Sequence, residues 1–144
     1  MDFTDFFEKG LNKLIDEINL YNNEDDLWKI KEGISNSGWN LTLHLIGNLN
    51  HFIGAILTNT DYIRERDKEF SLKNIPRTQL IEAINNINAV IKNTLPVLSE
   101  DDLQKEFPVK INNKTSSTRF ILMHLLTHLN YHLGQVNYHR RLIS

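Results

Sequence analysis

The stretch 120–143, FILMHLLTHLNYHLGQVNYHRRLI, constrains this chain more than any other, because it sets His124, His128 and His132 at successive four-residue intervals. In a helix, residues four apart lie one above another on the same side. The three imidazoles therefore form a stripe that continues through Gln135 and His139, while Leu122, Leu125, Leu126, Leu129, Leu133 and Val136 make the adjoining apolar arc. A lone histidine at such a border is more often a core residue with both nitrogens satisfied. Three in register ask for more partners than a core usually offers, since every buried ring nitrogen needs one. Two histidines at i and i+4 are also a recurrent way for a helix to hold a divalent ion through neutral imidazole. Spacing alone leaves His124 with His128 and His128 with His132 equally good as that pair. A further ligand has to come from another part of the chain.

The segment 39–57, WNLTLHLIGNLNHFIGAIL, repeats the pattern. It predicts a helix, with Ser37 or Asn36 available to cap it. His44, Asn48, His51 and Ala55 share one stripe beside an apolar arc of Leu41, Leu45, Leu49, Phe52 and Ile56. His44 sits mid-helix on the apolar border and is the candidate for the missing ligand. Gly47 and Gly54 lower helix propensity, and close approach of a neighbouring helix is one reason to keep them.

Elsewhere, Phe3, Phe7, Leu11, Leu14, Ile18 and Tyr21 recur at the three- and four-residue spacing of an amphipathic helix. That helix ends in the polar cluster 22–26; a short turn over 27–30 and a Gly/Ser/Asn loop over 33–38 follow. Residues 59–76, NTDYIRERDKEFSLKNIP, show no sustained period and read as a long connection. Arg64, Arg66, Asp67 and Glu69 are dense enough there for a polar lid or an ion-pair network. Leu80, Ile84, Ile87, Ile91 and Leu95 then predict a third long helix, starting at Pro76 or Arg77 and ending at Pro96. The run 99–102 resembles a capped short turn, 107–113 is expected to be extended, and Thr115, Ser116 or Ser117 opens the last helix. Four long helices without an alternating strand give an all-α four-helix bundle, and 144 residues fit a single domain.

Cysteine is absent, which removes disulfides, thiolate ligands and a protein thiol nucleophile together. Any metal is held by nitrogen or oxygen, and with nitrogen ligands zinc or nickel is the expected occupant. A formal charge of −2 argues against nucleic acid as a partner, because neutralising phosphates takes a clear excess of Lys and Arg. The acidic opening MDFTDFFEKG lacks the basic start of a signal peptide and no apolar run reaches membrane-spanning length, so a cytoplasmic protein without a membrane partner is expected.

The pairing of HLIGNLNHF with HLNYHLGQVNYHRRL resembles the DinB/YfiT-like superfamily of metalloenzymes, and the order of elements is similar along nearly the whole chain. The resemblance implies an up-down-down-up bundle, usually a homodimer, with a divalent metal held by three histidines. Carried over by residue, these are His44, within His44-Leu-Ile-Gly-Asn, and His128 and His132, within His-Leu-Asn-Tyr-His-Leu-Gly-Gln. It thus favours His128 with His132 as the pair. His51, His124 and His139 have no counterpart and are expected to support the ligands or to pack. The DYIRERDKEF segment also looks like a stretch found in these proteins.

Three neutral histidines leave a divalent ion with open positions, the arrangement of catalytic sites. Some members of the superfamily use a low-molecular-weight thiol as cosubstrate, so the resemblance implies a thiol transferase acting on a small electrophilic substrate. Hydrolysis by an activated water is the alternative, as is a metal-stabilised stress-response binding module without turnover. No catalytic acid or base can be assigned; Asn48, Tyr131, Gln135, Arg64 and Arg66 are the candidates for contacting ligand or substrate. Phe6, Ile15, Ile81 and Val90 lie outside a single apolar stripe per helix, which suggests a second contact such as a dimer interface.

Overall fold

The computed structural model describes residues 3–143. Its helices are α1 (Phe3–Leu20), α2 (Gly38–Leu49), α3 (Arg66–Ser71), α4 (Arg77–Thr94), α5 (Glu100–Gln104) and α6 (Thr118–Ile143). No strand occurs among the described residues; two isolated bridges, Glu106 with Ser117 and Ile111 with Lys114, fold the stretch before α6 back on itself. The protein is thus all-helical.

Local chemistry explains where the helices begin. Ser37 caps α2, its side chain accepting from the Asn40 N–H at 3.1 Å. At α6 the Ser117 hydroxyl accepts from the Phe120 N–H at 3.1 Å. The short α5 carries a capping box in which Ser99 and Asp102 satisfy each other's backbone N–H groups. Pro96 falls in the tight turn Leu95–Val97 that ends α4.

The apolar spacing becomes the core. Phe7, Leu11, Leu14 and Ile18 of α1, Leu45 and Leu49 of α2, Ile84, Ile87 and Ile91 of α4, and Leu122, Leu125 and Leu129 of α6 are all buried. Each such side chain stabilises the fold by roughly 1.5–3 kcal/mol relative to exposure. Helix α6 packs on α1 and α2, and α4 packs on the same two. Gly10 permits the approach of α6, because a Cβ there would lie 2.9 Å from the Leu129 side chain.

Three details differ from the sequence expectation. The connection 59–76 is not featureless: α3 forms within it and packs on α2, burying Glu69 at 6% exposure. Its signal was hidden because the residue it buries is a carboxylate, which leaves no apolar period. Second, α2 continues as a wider π-helical segment, Asn50–Leu57, and neither of its glycines meets another long helix. A Cβ at Gly47 would overlap the Glu69 carboxylate of α3, and one at Gly54 would crowd Thr60 of the following connection. Third, Ile15, Ile81 and Val90 pack against the core as partly buried side chains, so of the proposed second stripe only Phe6 remains exposed. Among the described residues no helix is long and apolar enough to cross a membrane.

Candidate metal centre

Packing of α2 on α6 brings His44 against His128 and His132. His44 Nε2 lies 3.1 Å from His128 Nε2, and His132 Nε2 lies 3.1 Å from the same atom. One ligand atom from each of the three falls within 4.8 Å of the others, close enough to hold a single metal ion.

The outer nitrogens decide what faces inward. His44 Nδ1 is 3.0 Å from Glu69 Oε1, and His132 Nδ1 is 2.7 Å from Gln135 Oε1. Both partners are acceptors, so each Nδ1 carries the proton and donates it. Arg64 Nη2 is also 3.3 Å from His44 Nδ1, but it lies 2.9 Å from Glu69 Oε1, and a charged carboxylate is the stronger acceptor. With the protons on Nδ1, the Nε2 lone pairs of these neutral rings point toward one another. Converging lone pairs repel unless a cation or a proton lies between them, so the donor set fits a divalent ion.

Neutrality is favoured by burial. Desolvation, reinforced by the neighbouring histidines and Arg64, pushes His128 down from 6.5 to about 4. His44 is likewise lowered, chiefly by burial, although its hydrogen bond to Glu69 pulls the other way. Its contact with Glu69 is therefore a charge-assisted hydrogen bond from a neutral ring.

Glu69 is itself held firmly. Arg64 approaches its carboxylate side-on, Nε to Oε2 and Nη2 to Oε1, both at 2.9 Å. Asn40 donates to the Glu69 carbonyl at 3.1 Å, and Phe70 brings its ring to 5.3 Å from that of His44. Gly47 provides the room, since any side chain there would meet the carboxylate. A carboxylate behind a ligating histidine fixes tautomer and ring orientation. The sequence offered Glu69 as a member of an ion-pair network, which its pairing with Arg64 forms, but not as a support for His44; the signal for that was Gly47 on the polar side of α2, directly behind the histidine stripe.

The other expected residues divide. Gln135 touches His132 as described. Tyr131 is 67% exposed and sets its ring edge-on to His132 at 5.3 Å. A cavity of about 270 Å³ opens beside His44 and His128, and Asn48, Arg64, Arg66 and His124 help to line it. Asn48 is buried with its Oδ1 lacking a partner, and so is the Nδ1 of His128. His51 packs on Phe52 at 4.8 Å, outside the cluster. His139 is a satisfied core histidine: its Nε2 donates to the Lys29 carbonyl at 2.7 Å, and its Nδ1 accepts from the Tyr21 hydroxyl at 2.5 Å.

No match is found among curated proteins. A family model described as "Protein of unknown function (DUF1572)" matches residues 3–144. With nearly its whole length covered, the chain belongs to that uncharacterised family.

Proposed function

We propose that this is a divalent-metal protein, with zinc or nickel held by Nε2 of His44, His128 and His132, which transfers a small thiol to an electrophile. The observation that carries the reading is the convergence of three Nε2 atoms, with the rings of His44 and His132 turned inward by acceptors on Nδ1. We further place the chain in the DinB/YfiT-like superfamily, as a single domain whose four long helices run up-down-down-up. The pairwise packing of α1, α2, α4 and α6 supports that arrangement. A homodimer belongs to the same reading; its support is the exposed row Phe120, Met123, Tyr131, Tyr138 and Leu142 on the outward side of α6.

A divalent ion on three neutral imidazoles keeps free positions and supplies Lewis acidity, which favours the ionised form of a thiol or a water. The protein's share is orientation and charge. Glu69 and Gln135 hold His44 and His132 in the ligating tautomer, and Arg64 keeps Glu69 in place. No carboxylate lines the cavity among the described residues and Glu69 is committed to Arg64 and His44, so His124 is the side chain left there to act as a base, for a thiol or for a water. The superfamily resemblance favours the thiol.

The test is a thiol-consumption assay with zinc-loaded protein, a panel of small thiols and 1-chloro-2,4-dinitrobenzene, run beside ester and amide substrates without thiol. Thiol loss that requires zinc and disappears in His132→Ala supports the transferase. Cleavage without thiol would replace it with a hydrolase, and no turnover of either kind with zinc bound would leave a metal-stabilised binding module.

A further inference from the structure

We propose that the cavity beside the histidine cluster binds a small organic acid, its carboxylate meeting Arg66 and its short apolar body lying against Phe52, Ile111 and Leu125. The position of the ligand next to an ion rests on the metal reading above; its charge preference does not.

The cavity is built where four parts of the chain converge: α2 with its π-helical continuation, the connection that carries Arg64 and Arg66, the turn at Ile111 and Asn112, and α6 with His124, Leu125 and His128. Two arginines line it and no acidic residue does. Arg64 is already balanced by Glu69. Arg66 has no acidic partner among the described residues; its guanidinium stands 5.9 Å over the exposed ring of Phe70, which steadies the side chain without neutralising it. The cavity therefore carries one uncompensated positive charge, and a bound divalent ion would add to it. A guanidinium recognises a carboxylate through paired, charge-assisted hydrogen bonds.

Size and walls narrow the class. About 270 Å³ lies just below the roughly 300–1,000 Å³ typical of pockets for larger ligands, so the occupant is small. Phe52 and Ile111 are partly buried and Leu125 is fully buried, which gives the body of the ligand an apolar surface. Phe52, Ile111 and Leu125 make one apolar wall while amides, imidazoles and the two arginines line the rest; a single unpaired guanidinium balances a monoanionic carboxylate but not the second charge of a phosphate dianion.

Calorimetric titration of zinc-loaded and metal-free protein with butyrate, butyramide, acetate and inorganic phosphate tests this. Butyrate is expected to bind once per chain, at least about tenfold more tightly than its neutral isostere butyramide. Arg66→Gln, a change at an exposed position, should bring butyrate to the level of butyramide while zinc content stays the same. Ile111→Ser should weaken butyrate and leave acetate unchanged. Equal binding of butyrate and butyramide, tighter binding of phosphate, or a butyrate affinity indifferent to Arg66→Gln overturns the proposal. One zinc per chain with that indifference would remove the acid site and keep the metal site. Butyrate binding that depends on Arg66 in a chain that retains no zinc would do the reverse.

Discussion

At the scale of single residues, the centre depends on side chains that touch no ligand. Glu69 fixes His44, so Glu69→Gln should lower zinc affinity by about 10–100-fold, the usual range for losing such a support. Competition with a chromogenic chelator would read it; an affinity equal to the parent's would show that His44 orients itself. Gly47→Ala pushes on the same carboxylate from the other side and should cost about 1–3 kcal/mol of stability as well. The histidines also set a pH dependence. His128 falls from 6.5 in the unfolded chain to about 4 in the fold, so between those values the unfolded state holds more protons. That contribution to the stability of the metal-free protein is fully present above about 6.5 and is lost as pH falls toward 4. Urea titrations across that range would check the slope, and His128→Gln should flatten it. His128 and His132 were legible because they fall in a helical repeat, His44 because it sits on the apolar border of another helix, and the three were selected as a set because their flanking residues resemble a known family. The tautomers were not, since they depend on Glu69 and Gln135 oxygens that only the fold brings to Nδ1.

At the scale of elements, α1, α4 and α6 were readable from apolar periods and capping residues, with α4 running Arg77–Thr94 between the two prolines expected to bound it. Helix α3 was not readable, because the force that seats it is electrostatic. It is only six residues long and is fixed to α2 by Arg64, Glu69 and Asn40. The π-helical widening after Asn50 was equally silent, since the apolar arc of 39–57 fits a regular helix just as well. Removing the cation leaves a buried carboxylate with half its partners, a change that costs roughly 3–5 kcal/mol where the pair is fully buried. A short surface helix can escape that cost by detaching. Arg64→Gln is therefore expected to speed amide hydrogen exchange across α3 while the protection of α1 and α4 stays at parent levels. Uniform loss of protection throughout the chain would instead make α3 part of the global folding unit.

At the scale of the molecule, wide apolar stripes were ambiguous in the sequence. Ile15, Ile81 and Val90 turn out to thicken the core, whereas the exposed apolar row lies on α6, where the histidine pattern drew attention away from it. If that row joins two copies, light scattering at micromolar concentration should give twice the chain mass of 16.9 kDa, and Tyr138→Glu should return the monomer. A monomer mass for the parent over a wide concentration range would leave the row without that partner. The centre itself needs no second copy, because α2, α3, α6 and Arg64 of one chain supply all its described parts.

The central claim is that His44, His128 and His132 share one ion. Elemental analysis of protein purified without a metal-affinity tag tests it most directly, with His132→Ala and His124→Ala compared with the parent. His124 offers the same four-residue spacing to His128 but stands outside the cluster and is exposed. One divalent ion per chain is expected in the parent and in His124→Ala, and none in His132→Ala. Equal metal in both variants, or metal lost with His124 and kept without His132, would contradict it.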